Sequence, residues 1–238
     1  MSDEQFRILA VGAHPDDIEF GCGGILFAEA ERGKAISLCI CSRGEAGTNG
    51  SPAQREAEAR KAAKLLGAAI EFLDLGGDCR LEVSATNQLA IARVIRKLRP
   101  DVLLCPTSCV DQHPDHVVVS QLCRNGARLA RYGGLEDLRD LSAHAIKHHL
   151  EYAITPMAEP PNDRAKLLLD LGSHLKRWVE LMECHATQLR TRRYLELQTA
   201  RARLLGLTTG VEYAQALYPV GDFLIGDLAA LPASVRLF

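Results

Sequence analysis

The chain has 238 residues, of which 47% are hydrophobic and 24% charged, and its formal net charge is −2. These values suit a globular protein with a sizeable core and argue against a general nucleic-acid or anionic-membrane partner. The N-terminus is polar and acidic, and no run of about 18 apolar residues occurs, so neither a signal peptide nor a membrane span is predicted. Without a secretion signal, the eight cysteines are interpreted as reduced thiols in the cytoplasm.

Strand-like and helix-like segments alternate along the first two-thirds of the chain. Short apolar runs bounded by Gly, Pro or Asp predict buried parallel strands over residues 7–12, 35–42, 70–73 and 102–105. Apolar residues at helical spacing predict helices over residues 24–33, 52–66, 84–98 and 117–129. Ser51 and Ser84 are candidate N-caps, and Gly67 is a candidate helix end. This alternation predicts an α/β fold: a Rossmann-like, doubly wound, mostly parallel sheet flanked by helices, in one domain over residues 1–238.

The pattern is less regular after about residue 131. Residues 145–154 and 165–170 are predicted strands, residues 156–163 a proline-rich loop, and residues 174–193 a long amphipathic helix. The apolar segment 223–238 is interpreted either as an oligomer interface or as the last packed layer.

Two clusters of histidine and aspartate follow predicted strands. Ala13-His14-Pro15-Asp16-Asp17 follows the first strand, and His113-Pro114-Asp115-His116 follows the fourth. Because the carboxyl ends of parallel strands meet at one edge of a sheet, the clusters are expected to lie together. Catalytic zinc usually has three protein ligands and one position for water. The sequence therefore predicts a metal site held by His14, Asp17 and His116.

The remaining residues of the clusters can supply acid–base chemistry. Asp16 is the predicted general base, because it stays beside the metal without binding it. His113 is predicted to stabilise an oxyanion or to protonate a leaving amine. Asp115 could hold a ring nitrogen of one of these histidines and so fix its tautomer. Either cluster alone could be only a turn, since Pro fixes φ and Asp accepts local hydrogen bonds.

Other polar residues and glycines allow weaker interpretations. Asp78 could reach the site from the third strand, but we interpret it as a turn residue. The glycines of Gly21-Cys22-Gly23-Gly24 do not fit a dinucleotide-binding loop and are interpreted as sites of close packing. His148 and His149 would alternate across a strand, so they are not predicted to bind a metal together.

The two clusters and the glycine-rich segment resemble those of the LmbE-like/PIG-L family of zinc-dependent N-acetylglucosaminyl deacetylases. The similarity continues through residues 42–48, through the helix that carries Arg55 and Glu58, and through Cys184-His185-Ala186-Thr187-Gln188. It covers most of the chain and is weakest over residues 129–163.

The resemblance implies the same metal ligands and the same base, Asp16. It also implies that Asp115 orients His113, that Arg43 holds hydroxyl or phosphate-like groups of the substrate, and that His185 has a role in the pocket. From the residues alone, Arg43 could instead pair with a surface carboxylate, and His185 could be a core or surface histidine.

The resemblance implies a cytoplasmic hydrolase with one Zn²⁺ per chain that removes acetyl from an N-acetylglucosamine-type substrate. The same donors would accept iron or cobalt. The bacillithiol-pathway N-acetylglucosaminyl-malate deacetylases are the branch it resembles most, and a homo-oligomer, trimer or hexamer, is implied. Two alternatives stay open: a zinc amidase acting on another amide, such as a mycothiol-conjugate-type substrate, and a sugar- or metal-binding module without turnover.

Overall fold

A computed structural model of the chain describes residues 5–161 and 165–230. Residues 1–4, 162–164 and 231–238 of the predicted domain lie outside this description. The described residues form seven strands: β1 (Arg7–Gly12), β2 (Ala35–Ile40), β3 (Ala69–Phe72), β4 (Val102–Pro106), β5 (His148–Tyr152), β6 (Leu167–Asp170) and β7 (Ala214–Pro219). They also form six α-helices: α1 (Asp17–Glu31), α2 (Pro52–Leu66), α3 (Ala85–Leu98), α4 (Pro114–Leu129), α5 (Leu175–Met182) and α6 (Tyr194–Thr209). None of these described helices is long and apolar enough to cross a membrane.

The strands form one sheet in the order β3-β2-β1-β4-β5-β7-β6. Neighbours among the first five strands are parallel, whereas β7 is antiparallel to both β5 and β6. This arrangement confirms the predicted Rossmann-like, mostly parallel sheet. The sequence pattern does not predict β7, although all six of its residues are buried.

The order of the strands in the sheet changes direction at β1, because β2 and β3 lie on one side of it and β4 and β5 on the other. β1 pairs with β2 on one side and with β4 on the other. The carboxyl ends of β1 and β4 therefore lie side by side, at the position where open α/β sheets bind their ligands. Each of the two His/Asp clusters follows one of these strand ends, so the fold brings them together.

Each face of the sheet has its own apolar layer. Leu9 and Val11 of β1 belong to the layer that includes α3 and α4, and Ile8 and Ala10 belong to the layer that includes α1 and α5. Successive side chains of a strand point to opposite faces, and here both faces are covered. This explains why the sequence of β1 is a nearly continuous apolar run.

Local sequence signals set the ends of two helices. The side chain of Ser51 accepts the backbone N–H of Gln54, and the Gln54 side chain accepts the N–H of Ser51, which forms a capping box at α2. Gly67 ends α2 with a φ of 71°. Ser84 caps α3 by accepting the N–H of Asn87. These three predicted helix ends are confirmed.

The first helix begins earlier than predicted. The prediction of a start at residue 24 was wrong, because α1 begins at Asp17 and includes the glycine-rich segment. A Cβ at Gly21 would lie 2.2 Å from the ring of Tyr152, whose hydroxyl donates to the carbonyl of Val11 at 2.8 Å. The glycines weaken the helical pattern in the sequence, but they let α1 pack closely against its neighbours.

The predicted helix over residues 174–193 is interrupted. α5 ends at Met182, a short 3-10 helix follows at Gln188–Arg190, and α6 begins at Tyr194. Between them, Thr187 donates its N–H and its hydroxyl to the carboxylate of Glu58, at 2.9 and 2.6 Å. This long-range contact fixes the segment between α5 and α6 against α2.

The other segments predicted after residue 131 have different bounds in the structure. The strand predicted over residues 145–154 is limited to β5, and that predicted over residues 165–170 to β6. The predicted loop over residues 156–163 contains a short 3-10 helix at Pro156–Ala158. Its last two residues, and residues 231–238 of the apolar C-terminal segment, lie outside the described residues.

A buried guanidinium holds the segment after α4. Arg96 on α3 donates to the carbonyl oxygens of Ala130, Tyr132, Leu138 and Leu141 at 2.6–3.1 Å. The guanidinium therefore ties residues 130–141 to α3, and three of the four carbonyl oxygens, those of Ala130, Tyr132 and Leu138, also accept a backbone N–H.

Candidate active site

The loop between β1 and α1 is folded around the carboxylate of Asp17. Its Oδ2 accepts the backbone N–H groups of Ala13, at 2.9 Å, and of His14, at 2.8 Å. Its Oδ1 lies 3.1 Å from Nε2 of His116, in the first turn of α4. Asp17 thus connects the ends of β1 and β4.

The fold brings His14, Asp17 and His116 together. Each offers one ligand atom, these atoms all lie within 4.8 Å of one another, and all three residues are buried. Two imidazoles and one carboxylate suit Zn²⁺ and related divalent ions, and three protein donors leave a position for water. The residues present therefore fit a catalytic metal ion.

Three carboxylates surround the ring of His14. Nε2 lies 3.0 Å from Asp78 Oδ1 and 3.2 Å from Asp115 Oδ2, while Nδ1 lies 3.5 Å from Asp17 Oδ2. Burial opposes a charged imidazole, but the carboxylates, above all Asp17, raise the pKa of His14 to about 12. Surroundings that hold a proton so strongly also attract a metal cation, which would displace that proton.

Asp78 belongs to this site, so its interpretation as only a turn residue was wrong. It follows β3 in the loop that contains Gly76 and Gly77, at the same edge of the sheet as both clusters. Its Oδ2 accepts the N–H of Ala46 at 3.2 Å, which leaves Oδ1 facing His14. The sequence feature that could have indicated this role was the position of Asp78 shortly after a predicted parallel strand.

His113 is the N-cap of α4 and lies in the wall of the cleft. The backbone N–H of Asp115 donates to its Nδ1 at 3.3 Å, so a neutral ring carries its proton on Nε2. Burial, with the charges of His14 and His116, lowers the pKa of His113. Asp115 thus contacts His113 through the Asp115 backbone N–H, whereas the Asp115 carboxylate contacts the ring of His14. In its neutral form His113 therefore presents an Nε2–H group to the cleft.

Asp16 and Asp17 are adjacent and have the same side chain, but the backbone places their carboxylates in different positions. Asp16 is the N-cap of α1 and has a φ of 122°, which residues other than glycine rarely adopt. Its Oδ2 lies 3.5 Å from Nη2 of Arg55. Burial and the charge of Asp17 raise the pKa of Asp16 to about 7, against the opposing charge of Arg55. Asp16 is therefore a cleft carboxylate beside the donor set but outside it.

Arg55, on α2, is a site residue to which the sequence assigned no role. It is buried and donates to the carbonyl oxygens of Pro15, at 3.0 Å, and Gly44, at 3.2 Å. Gly44 has a φ of 68°, and a Cβ there would lie 1.8 Å from Arg55 Nη1. One sequence feature could have indicated this role. Arg55 lies on the helix face that buries Ala59 and Ala62, and a buried charge requires polar partners.

Arg43 and His185 are not among the described residues that line the cleft. Arg43 donates from Nε to Glu56 Oε2 at 2.9 Å and lies over the ring of Phe72. His185 is fully buried, with Nε2 3.4 Å from Glu19 Oε1. Burial opposes a charged His185, but nearby carboxylates, Glu19 first, raise its pKa. Contact of either residue with a substrate stays a prediction.

The cleft has a volume of about 700 Å³, which suits a small-molecule substrate. Besides the two clusters, its lining includes residues from the segment before α2 and from the C-terminal third: Ala46, Gly47, Thr48, Asn49, Gln188, Thr191, Arg192 and Tyr194. Tyr194 packs on Phe20 with ring centroids 5.4 Å apart. Hydrogen-bonding groups from several elements thus surround the donor set.

Known proteins resemble the chain in sequence, and three of them are compared with it below. YaiS of Escherichia coli, described as an uncharacterized deacetylase, is 35% identical over 119 residues, which are 48% of this chain and 64% of YaiS. Diacetylchitobiose deacetylase of Thermococcus kodakarensis is 30% identical over 61% of this chain and 57% of that protein. The match with each deacetylase thus spans less than two thirds of its length. 4-Oxalmesaconate hydratase of Pseudomonas putida is 26% identical over 96% of this chain and 95% of that protein.

A solved structure matches the architecture of the chain, and a family model matches the part of the sequence that contains both clusters. The conserved protein TT1542 of Thermus thermophilus superposes with a TM-score of 0.80 at 27% identity, over 95% of this chain and 99% of that one. The model of the PIG-L family, described as GlcNAc-PI de-N-acetylase, matches residues 9–127, half of the chain, which include both His/Asp clusters. The chain therefore belongs to the PIG-L family.

Proposed function

We propose that the chain is a zinc-dependent N-deacetylase that hydrolyses the acetamide of an N-acetylglucosamine-type substrate. One observation carries the proposal: Asp16 lies in the cleft beside the donor set of His14, Asp17 and His116 without belonging to it. The family description, GlcNAc-PI de-N-acetylase, supports an N-acetylated amino sugar as the substrate.

His14, Asp17 and His116 would hold the ion. When bound, Zn²⁺ supplies a Lewis acid that polarises the amide carbonyl and lowers the pKa of water. Asp78 and Asp115 would accept the Nε2–H of His14, which orients the ring and leaves the lone pair of Nδ1 on the side of Asp17.

Asp16 would act as the general base and take a proton from the attacking water. Arg55 supports this role, because it binds the carbonyl of Pro15 and lies beside the Asp16 carboxylate. The proton must then reach the leaving amine, either from Asp16 or from His113.

His113 would stabilise the negative charge that develops on the carbonyl oxygen. Its Nδ1 already accepts the N–H of Asp115, so Nε2 carries the proton that it can donate. A donor held in place before the reaction needs no reorganisation when the charge forms.

A colorimetric primary-amine assay over a panel of N-acetylated glucosides tests the proposal. We expect amine release that stops when a chelator removes the metal and returns with Zn²⁺. Release from a different amide only would favour the amidase alternative. No release on any substrate, despite bound zinc, would favour a binding module.

One observation favours a second candidate, a hydratase. The alignment with 4-oxalmesaconate hydratase spans nearly all of both chains, whereas YaiS aligns with 48% and diacetylchitobiose deacetylase with 61% of this chain. The same base could activate water for addition to a carbon–carbon double bond. Loss of ultraviolet absorbance from a conjugated unsaturated tricarboxylic acid, without amine release in the first assay, would replace the deacetylase proposal.

The finer parts of the proposal are a glucosaminyl-malate substrate, a homo-oligomer and a cytoplasmic location. All eight cysteines are free, which is common in a reducing compartment. A higher kcat/KM for the malate glycoside than for its methyl glycoside would support the substrate, and light scattering would determine the assembly.

A further inference from the structure

Cys79 is the exposed member of the eight cysteines, of which six are buried and one, Cys109, is half-buried. It lies in the wall of the cleft, next to Asp78. Its φ of 63° falls in the left-handed region that favours glycine, so its backbone is strained. Its N–H donates to Asp115 Oδ2 at 2.7 Å. The residue is therefore fixed beside the site in a conformation that costs free energy.

Three different donor atoms meet at Cys79. Its Sγ lies 3.4 Å from Asp78 Oδ1 and 3.6 Å from His113 Nε2, and those two atoms lie 4.0 Å apart. A tetrahedral zinc ion bound at ~2.3 Å to sulfur and ~2.0–2.1 Å to nitrogen and oxygen places its donors roughly 3.3–3.6 Å apart. The three atoms therefore come close to one triangular face of a zinc site.

Two contacts oppose binding at this position. Oδ1 of Asp78 also lies 3.0 Å from Nε2 of His14, so the ion must share that oxygen with the His14 ring. The N–H of Asp115 faces Nδ1 of His113 at 3.3 Å, which keeps the ring proton on Nε2. An ion at Nε2 requires that proton to move to Nδ1, so the contact with Asp115 is lost. At 3.3 Å this hydrogen bond is long, and a bond from the metal to a thiolate offsets its loss.

We propose that Asp78, Cys79 and His113 form a second metal site, which takes a thiophilic divalent cation such as Zn²⁺ or Cd²⁺ and inhibits the enzyme. On binding, the thiol proton passes to solvent and Sγ coordinates the ion as a thiolate. The ion occupies Nε2 of His113 and fills part of the cleft. The binding part stands on the donor geometry alone, whereas the inhibitory part rests on the proposed function.

Cadmium titration of the protein loaded with one equivalent of zinc tests the binding part. Equilibrium dialysis should show one further equivalent of bound metal, accompanied by the ultraviolet charge-transfer band of a cadmium–thiolate bond. Cys79→Gly should lose the band and bind this equivalent at least tenfold more weakly. Glycine suits the φ of 63° at this position, so the variant should fold. Cys109→Ser, the matched control, should keep both signals.

Two outcomes overturn the binding part: wild-type protein without the thiolate band, or a band that persists in Cys79→Gly. For the inhibitory part, amine release is measured as zinc rises beyond one equivalent. Wild type should be inhibited, and Cys79→Gly should need at least tenfold more zinc. Full wild-type activity in excess zinc overturns inhibition. Absence of amine release at every zinc concentration overturns the proposed function, while the cadmium result still decides the site.

Discussion

Oδ1 of Asp17 lies 3.1 Å from Nε2 of His116, although 99 residues separate the two in the sequence. The contact exists because β1 and β4 are neighbouring parallel strands whose carboxyl ends carry the two clusters. Asp17 also holds the β1–α1 loop through Oδ2. One carboxylate therefore joins the two halves of the candidate metal site and shapes one of them.

Asp16→Asn should separate catalysis from metal binding. We expect zinc to be retained, because Asp16 lies outside the donor set, and kcat to fall by ~10²–10⁴-fold, because the amide cannot accept a proton. Metal analysis and the amine-release assay measure the two effects. Asp17→Asn is the matched control and should lose zinc as well as activity. An Asp16→Asn variant with full activity would show that another group is the base.

His14→Gln and His116→Gln should each empty the metal site, because each removes one of three buried donors. We expect most of the zinc to be absent after gel filtration, as measured by elemental analysis. His148→Gln, on the exposed start of β5, should keep its zinc. Unchanged zinc in both ligand variants would contradict the ligand assignment.

Asp115→Asn should weaken zinc binding without removing a ligand. The carboxylate lies 3.2 Å from His14 Nε2, and loss of such a partner typically lowers metal affinity ~10–100-fold. Competition with a chromophoric chelator measures the affinity. Wild-type affinity in this variant would mean that Asp78 alone orients His14.

Gly44→Ala should reduce activity through Arg55. Alanine at the φ of 68° is strained, and its Cβ would overlap Nη1 of Arg55, which must move away from Pro15. We expect kcat to fall at least ~10-fold, since small displacements of catalytic geometry have large effects. Gly67→Ala has a similar φ, 71°, but its Cβ would meet nothing within 4 Å. That control should lose ~1–2 kcal/mol of stability and no activity. Equal kcat values in the two variants would contradict a role for Arg55 in orienting the base.

Arg96→Lys should destabilise the fold, because a lysine cannot reach the four carbonyl oxygens that Arg96 binds. We expect a loss of at least ~2 kcal/mol in the free energy of unfolding, measured by urea denaturation. Arg93→Lys on the same helix changes an exposed ion pair with Asp140 and should leave the free energy of unfolding nearly unchanged. Equal denaturation midpoints would show that residues 130–141 do not depend on Arg96.

The parallel half of the sheet and the meeting of the two clusters were predictable from sequence. Strands buried on both faces leave continuous apolar runs, and the meeting of their carboxyl ends follows from the topology of parallel sheets. The different positions of Asp16 and Asp17 relative to the donor set were also expected. The backbone cause, a φ of 122° at Asp16, was not, because no residue propensity indicates it.

Features that depend on long-range contacts were not predictable. The helical pattern over residues 174–193 is interrupted in the segment where Thr187 binds Glu58, 129 residues away. Arg55 lies on α2 among many charged residues, and its burial becomes evident only when Gly44 and Pro15 are in place. In both cases the deciding interaction is absent from the local sequence window.

The adjacency of β1 and β4 has a consequence for the order of events during synthesis. The first cluster leaves the ribosome about a hundred residues before its partner, because α1 to α3 are made in between. A nascent chain that ends before His116 lacks the second imidazole donor and cannot hold the ion as the finished protein would. Zinc binding should therefore require that β1 and β4 have paired. In truncated or circularly permuted forms of the chain, the amount of zinc retained would then measure whether this pairing has formed.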